Sequence, residues 1–156
     1  DLARLEWTIE QVFDGPGVEG ESLLSAAELV RIDPEAFGEA RIVCVPCLRL
    51  LKFHYPVNEY YSVARRLSEQ DEAPPPPEPA AQFLALTRRD YVVRRIALSS
   101  EAEHALLAGL VSGQTVNEVL AQAAGFWTGD AGELASAIRA WFMQSSGAGL
   151  FWRIEV

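Results

Sequence analysis

The side chains that do chemistry are scarce in this chain. Its 156 residues include two cysteines and two histidines. A structural zinc ion wants four Cys or His ligands, and neither His54 nor His104 stands at zinc-motif spacing from Cys44 and Cys47. Cys44-Val45-Pro46-Cys47 has the spacing of a redox pair but lies in an extended run. A reactive thiol needs a helix N-terminus, where amide dipoles lower its pKa. Both thiols therefore read as buried and inert, packing as small hydrophobes. No glycine-rich phosphate loop precedes a helix, no Gly-x-Ser-x-Gly elbow occurs, and neither histidine has a neighbouring nucleophile. No catalytic residue, metal or cofactor is expected, which points to a binding or structural module.

Long apolar runs are also missing. Nothing approaches the ~20 residues of a membrane span, and there is no basic-then-apolar signal peptide at the start. No membrane partner is expected, and a cytoplasmic location is the default. The chain opens inside a helical pattern at Asp1-Leu2-Ala3-Arg4-Leu5, without a methionine or a cap, so a larger protein is expected to continue upstream.

Positive charge is short as well. Thirteen basic residues face twenty-two acidic ones, a net charge of −9. The first eighty residues hold most of the excess, with seven basic and fifteen acidic side chains. A phosphate backbone repels such a surface unless a local basic patch overcomes the total, so nucleic acid is disfavoured as a partner.

What the chain does have is a well-marked final third, which reads strand, helix, helix, helix, strand. Tyr91-Val92-Val93-Arg94-Arg95-Ile96 is β-branched and aromatic, broken by arginines, and Leu150-Phe151-Trp152-Arg153-Ile154 closes the chain. Three helix starts lie between them. Ser100 with Glu103, Thr115 with Glu118 and Asp130 with Glu133 each have the spacing of a capping box. Gln82 to Thr87 and Tyr91 to Leu98 form a hairpin turning at Arg88-Arg89-Asp90, and Gly113 and Gly125 supply stops between helices. This is the outline of a winged helix-turn-helix.

Upstream, Leu2, Leu5, Ile9, Val12 and Phe13 mark a helix ended by Gly15-Pro16-Gly17, with Trp7 off the stripe as a rim residue. Short helices follow from Ser25 and from the Asp33-Pro34 cap. Arg41 to Phe53 reads as one extended stretch, demoted by Pro46 to an edge or bulged strand. A helix then runs from Pro56 to about Leu67. Near Ser68 the composition changes to Glu69, Asp71, Glu72, Pro74 to Pro77, Glu78 and Pro79, a stiff connector. The fold class is α+β, divided into a helical and strand docking region at 1–68, a Pro-rich acidic linker at 69–80, and a winged helix-turn-helix-like module at 81–156.

Such a module reads DNA when its third helix offers Arg, Lys, Asn or Gln to base edges. Here Asp130 to Ser145 offers Arg139 and Gln144 against Asp130 and Glu133, while Arg88, Arg89, Arg94 and Arg95 gather on the hairpin. A strand with an open edge accepts an extended peptide by β-addition, and those arginines suit an acidic one. They equally suit a solvated edge kept basic against aggregation. A DNA-binding transcription regulator stands as the alternative.

Asp1-Leu2-Ala3-Arg4-Leu5-Glu6-Trp7 and Leu48-Arg49-Leu50-Leu51-Lys52-Phe53-His54-Tyr55-Pro56-Val57 resemble the second half of HvfC/BufC-type proteins. The hairpin, Leu98-Ser99-Ser100, Gly113 and Thr115 follow in a similar order. Members of that family carry a DNA-binding label and accompany multinuclear non-haem iron-dependent oxidative enzymes. The resemblance implies a noncatalytic partner protein that holds a ribosomally made precursor (leader) peptide for the iron enzyme, in a peptide-modification pathway. It further implies an N-terminal helical domain upstream, and docking of residues 1–68 on the enzyme. In the winged modules of such pathways the leader lies against the third strand and the third helix. By topology that groove would be lined by Tyr91, Val92, Val93, Arg94, Arg95 and Ile96, with Leu134, Ile138, Trp141 and Phe142 across from them.

Overall fold

The chain is α+β, and the structure, a computed structural model, describes residues 1–68, 70–127 and 130–156. Glu69, one of the acids of the expected linker, lies outside the described residues. Helices α1 (Leu2–Asp14), α2 (Ala26–Arg31) and α3 (Pro34–Glu39) precede strands β1 (Arg41–Cys44) and β2 (Arg49–Phe53). Helix α4 (Val57–Ala64) leads by way of the proline run to the hairpin β3 (Gln82–Arg89) and β4 (Val92–Leu98). Helices α5 (Glu101–Val111), α6 (Val116–Ala124) and α7 (Ala131–Gly147) and strand β5 (Phe151–Glu155) complete the order.

The starts of α2, α3, α5, α6 and α7 fall where acceptor side chains stand. Thr115 and Glu118 satisfy each other's amides in a reciprocal capping box. Ser100 accepts from the Glu103 amide, but the Glu103 carboxylate reaches one residue further back, to the Ser99 amide. Asp130 accepts from the Gly132 and Glu133 amides, and no return bond from Glu133 is made among the described residues. A further reciprocal box, Ser25 with Glu28, opens α2. Gly113 follows α5 at φ +81°, a left-handed conformation that spares glycine the Cβ clash. Gly125 ends α6 at φ −66°, which any residue adopts.

The stretch 41–53 is two strands in two sheets, not one extended edge. Pro46 lacks an N–H and has its φ fixed near the turn value. The chain reverses over Val45-Pro46-Cys47-Leu48, with the Leu48 amide donating to Val45 O at 3.0 Å. On one side of the turn β1 pairs antiparallel with β5, Ile42 opposite Ile154. On the other, β2 pairs antiparallel with β3, Leu51 opposite Leu84, giving a sheet of order β2-β3-β4. The pairing thus crosses residues 69–80 twice, and the buried side chains from both sides of that segment form one cluster. Helix α4 ends at Ala64, short of Leu67, and Arg65 and Arg66 form a turn beyond it.

Register places the layers. Leu84, Leu86 and Arg88 share one face of the β2-β3-β4 sheet with Leu51, Val93 and Arg95, because residues directly opposite in an antiparallel pair point the same way. Helix α1 covers this face, burying Leu5 and Val12 completely, while Trp7 stays 63% exposed at its rim. Phe83, Ala85 and Thr87 point to the other face, where Phe83 meets His104 of α5 at 5.5 Å between ring centroids. Helix α5 packs there through Leu106, Leu107 and Leu110, all buried. Central strand β3 is covered on both sides. Helix α7 packs on α2, and Trp141 and Phe142 form an aromatic cluster with Phe37 and Phe151.

The hairpin turns one residue later than its sequence suggests. Asp90 and Tyr91, at φ 51° and 61°, are the two residues between paired Arg89 and Val92, so Tyr91 belongs to the turn and not to β4. Two-residue hairpin loops favour positive φ at both positions because that matches strand twist. The conformation costs an L side chain about 1–2 kcal/mol. Replacing Tyr91 with glycine is therefore expected to raise the melting temperature by a few degrees, even after the 6.0 Å approach of Arg88 to its ring is lost. An unchanged or lower thermal midpoint would show that the ring contributes more than the backbone strain removes.

Candidate functional site: the outer strand of the hairpin sheet

Among the described residues, strand β4 is the outer member of its sheet, with β3 on one side and no strand on the other. Among the described residues no loop or helix backbone bonds to it. Its outward N–H and C=O groups form the row that a further strand would pair with. A protein has reason to cover or charge such an edge, and β4 carries Arg94 and Arg95.

The four hairpin arginines have different fates. Arg88 points into the protein, where Nε donates to Glu19 Oε1 at 2.6 Å and Nη2 to Glu19 Oε2 at 3.1 Å. Its Nη1 also donates to the Val12 and Phe13 carbonyls, satisfying the last turn of α1 with a cation. The hydrogen bond to Glu19 raises the Arg88 pKa, and the same bond lowers that of Glu19. Arg88 is thus a strut and unavailable to a ligand. Arg95 reaches α4, with Nη1 donating to Asn58 O at 3.2 Å and Asn58 Oδ1 at 2.8 Å, Nη2 donating to Ser62 Oγ at 2.9 Å, and the guanidinium stacked 4.7 Å above the Tyr61 ring. Burial lowers its pKa, and the neighbouring Arg65 adds to that effect. Arg89 lies 3.8 Å from the Asp90 carboxylate. Arg94 is exposed on the α5 face and has no hydrogen-bond or ion-pair partner among the described residues.

The residues expected to face β4 from the third helix lie elsewhere. Trp141 and Phe142 are 6% and 4% exposed and belong to the aromatic core. Ile138 is half-buried and opens with Phe142 into an apolar depression between α7 and the α2-α3 pair, beside Leu29, Phe37 and Met143. Leu134 is half-buried one turn before it. Val93 and Arg95 instead line a separate depression with Ile9 and Phe13 of α1 and Tyr61, Ser62, Arg65 and Arg66 at the end of α4; Tyr91 and Val92 form its outer wall. Ile96 packs against the core on the opposite face. The expected groove residues therefore fall in three places: those of α7 away from the strand, Arg94 and Ile96 on the α5 face of the sheet, and the rest at the depression where β4 meets α1 and α4. Sequence reading passed over this wall, although a trace existed: Tyr61 and Arg65 stand at the i,i+4 spacing that lets a ring and a guanidinium meet on one helix face.

The thiols and His104 are at least partly buried. Burial pushes the Cys44 thiol up to about 12, which keeps it protonated. Cys47 is fully buried, and its Sγ accepts from the Arg88 amide at 3.4 Å. His104 is pulled below its usual pKa, first by burial and then by Lys52. Among the described residues no group of three or more His, Cys, Asp or Glu side chains converges, and no helix is long and apolar enough to cross a membrane. Comparison with protein-family models, with curated proteins and with solved structures returned no match.

Proposed function

We propose that this chain is a noncatalytic partner protein of HvfC/BufC type, which binds a ribosomally made precursor peptide along β4 and holds it for a multinuclear non-haem iron oxidative enzyme. The observation that carries this reading is the unpaired outer edge of β4 with Arg94 beside it. Main-chain hydrogen bonds along such an edge give affinity for any extended segment, and side chains at the edge select among them. The order β3-β4-α5-α6-α7-β5 agrees with a winged helix-turn-helix-like module. Its third helix has little to offer DNA, because Arg139 stands on α7 with Glu133 in a chain of net charge −9.

Calorimetric titration of the chain with the leader peptide encoded beside it is expected to give saturable binding. Arg94→Glu, which touches no internal bond, is expected to weaken that binding about tenfold by placing like charges together. Absence of binding, both by the chain alone and with the iron enzyme present, removes the reading. A specific DNA complex surviving physiological salt in a mobility shift replaces it with the regulator.

A further inference from the structure

The depression between β4, α1 and α4 has chemistry of its own. The chain carries a net charge of −9, yet among the described residues no Asp or Glu lines this hollow and three arginines do. Arg65 and Arg66 are exposed, and neither has a carboxylate within ion-pair distance among the described residues. Both line the hollow together with Arg95, so like charges gather on its wall. The geometry is partly set in advance. The Tyr61 ring is approached by both Arg65, at 5.7 Å, and Arg95, at 4.7 Å, and Arg65 Nη1 donates to Tyr61 Oη at 3.2 Å. A guanidinium braced in this way loses less side-chain entropy when it forks onto a carboxylate.

The walls are apolar and unusually open. Phe13, Tyr91 and Val92 are 56%, 71% and 60% exposed, a grouping of large hydrophobics that a monomer has no reason to leave in water. Asp14 and Asp90 follow Phe13 and precede Tyr91 in the chain, and Asp90 faces Arg89. The positive region is therefore small, fitting one or two carboxylates and not a continuous phosphate backbone, which the rest of the surface repels.

We infer that this hollow is a specificity subsite for an acidic, extended peptide segment: Arg65 and Arg66 take an aspartate or glutamate side chain, while Phe13, Tyr91 and Val92 take an apolar residue next to it. The inference rests on the proposal that a peptide lies along β4. It names the feature of the sequence that the peptide must carry. Neither arginine is among the residues expected to bind from sequence, and neither lies on the third helix.

The test is a selection of short random peptides, displayed on their own messenger RNA, against the immobilised full chain. Enriched peptides are expected to carry an excess of Asp and Glu next to aromatic or β-branched residues. A chosen peptide, synthesised with a fluorophore, is expected to bind the Arg65→Gln/Arg66→Gln double variant about tenfold more weakly, the loss typical of one charge-assisted contact. The wild-type affinity should fall as salt rises and the variant's should fall much less. Both arginines are exposed, so the thermal midpoint of the variant should match that of the wild type. A pool without acidic excess, or an excess that persists in selection against the double variant, overturns the subsite. N-methylation of alternate amides in the chosen peptide separates the two layers of argument. Lost binding supports pairing along β4, whereas retained, arginine-dependent binding removes the strand pairing and leaves the subsite standing. No enrichment at all removes both. A dT oligonucleotide that binds more tightly than the peptides through the same two arginines assigns the patch to nucleic acid instead.

Discussion

Residues 81–156 expressed alone are expected to show no cooperative unfolding transition, and to regain one when co-expressed with residues 1–80. In the intact chain β3 is the central strand of its sheet, and β2 supplies one of its two neighbours. Strand β5 has β1 as its partner. Removing the first half therefore leaves β5 without a partner and β3 with one neighbour in place of two, and uncovers the face of β3 on which α1 lies. Leu5, Val12, Ile42 and Phe53, each at most 1% exposed, would leave the core together. At about 1.5–3 kcal/mol for each large side chain buried, their loss is comparable to the whole 5–15 kcal/mol that keeps a typical domain folded. Circular dichroism on heating provides the measurement. A sharp transition from residues 81–156 alone would mean that the C-terminal module closes its core without help, as the acidic proline-rich segment suggests on composition.

Truncation of Phe151 to alanine is expected to destabilise the intact chain by about 3–5 kcal/mol. Its ring is fully buried and lies 6.1 Å from Trp141 and 6.0 Å from Phe142 between centroids. Phe142 in turn meets Phe37 at 5.5 Å. Phe151 thus ties β5 to α7, and through Phe142 to α3, and the cavity it would leave is walled by rings already engaged in edge-to-face pairs. The neighbouring Trp152 is the control. It points the other way, is half-buried, and donates from Nε1 to Glu21 Oε2 at 2.8 Å. Trp152→Ala should cost only about 1 kcal/mol, the size of one net hydrogen bond. Similar losses for the two variants in urea denaturation would refute the ranking.

Much of the secondary structure is legible because its signals are local. A serine, threonine or aspartate at a helix start needs only the next three residues to act, so Ser100, Thr115 and Asp130 mark α5, α6 and α7 correctly. Alternation likewise places β3 and most of β4. Long-range partnership carries no comparable mark. Nothing near Pro46 tells which sheet each half of 41–53 will join, since both halves are equally β-prone and the choice rests on partners in β3 and β5. The arginines illustrate the same limit at the candidate site. Arg88, Arg94 and Arg95 look equivalent along the hairpin, yet one braces α1, one stacks on Tyr61 and one is left to solvent. Strand parity separates Arg94 from Arg95, but only the fold shows that Glu19 waits for Arg88. The wall formed by Arg65 and Arg66 stayed hidden because α4 meets β4 across the proline-rich segment.

The pairing of Arg41 with Glu155 also sets a schedule for the chain's birth. Translation proceeds at about 5–20 residues per second, so β1 leaves the ribosome on the order of ten seconds before its partner exists. During that interval Ile42, later buried, has no strand to lie against. The proline-rich segment emerges inside the same window. A chaperone that caps exposed strands would find its longest opportunity on this protein there, between the appearance of β1 and the release of β5.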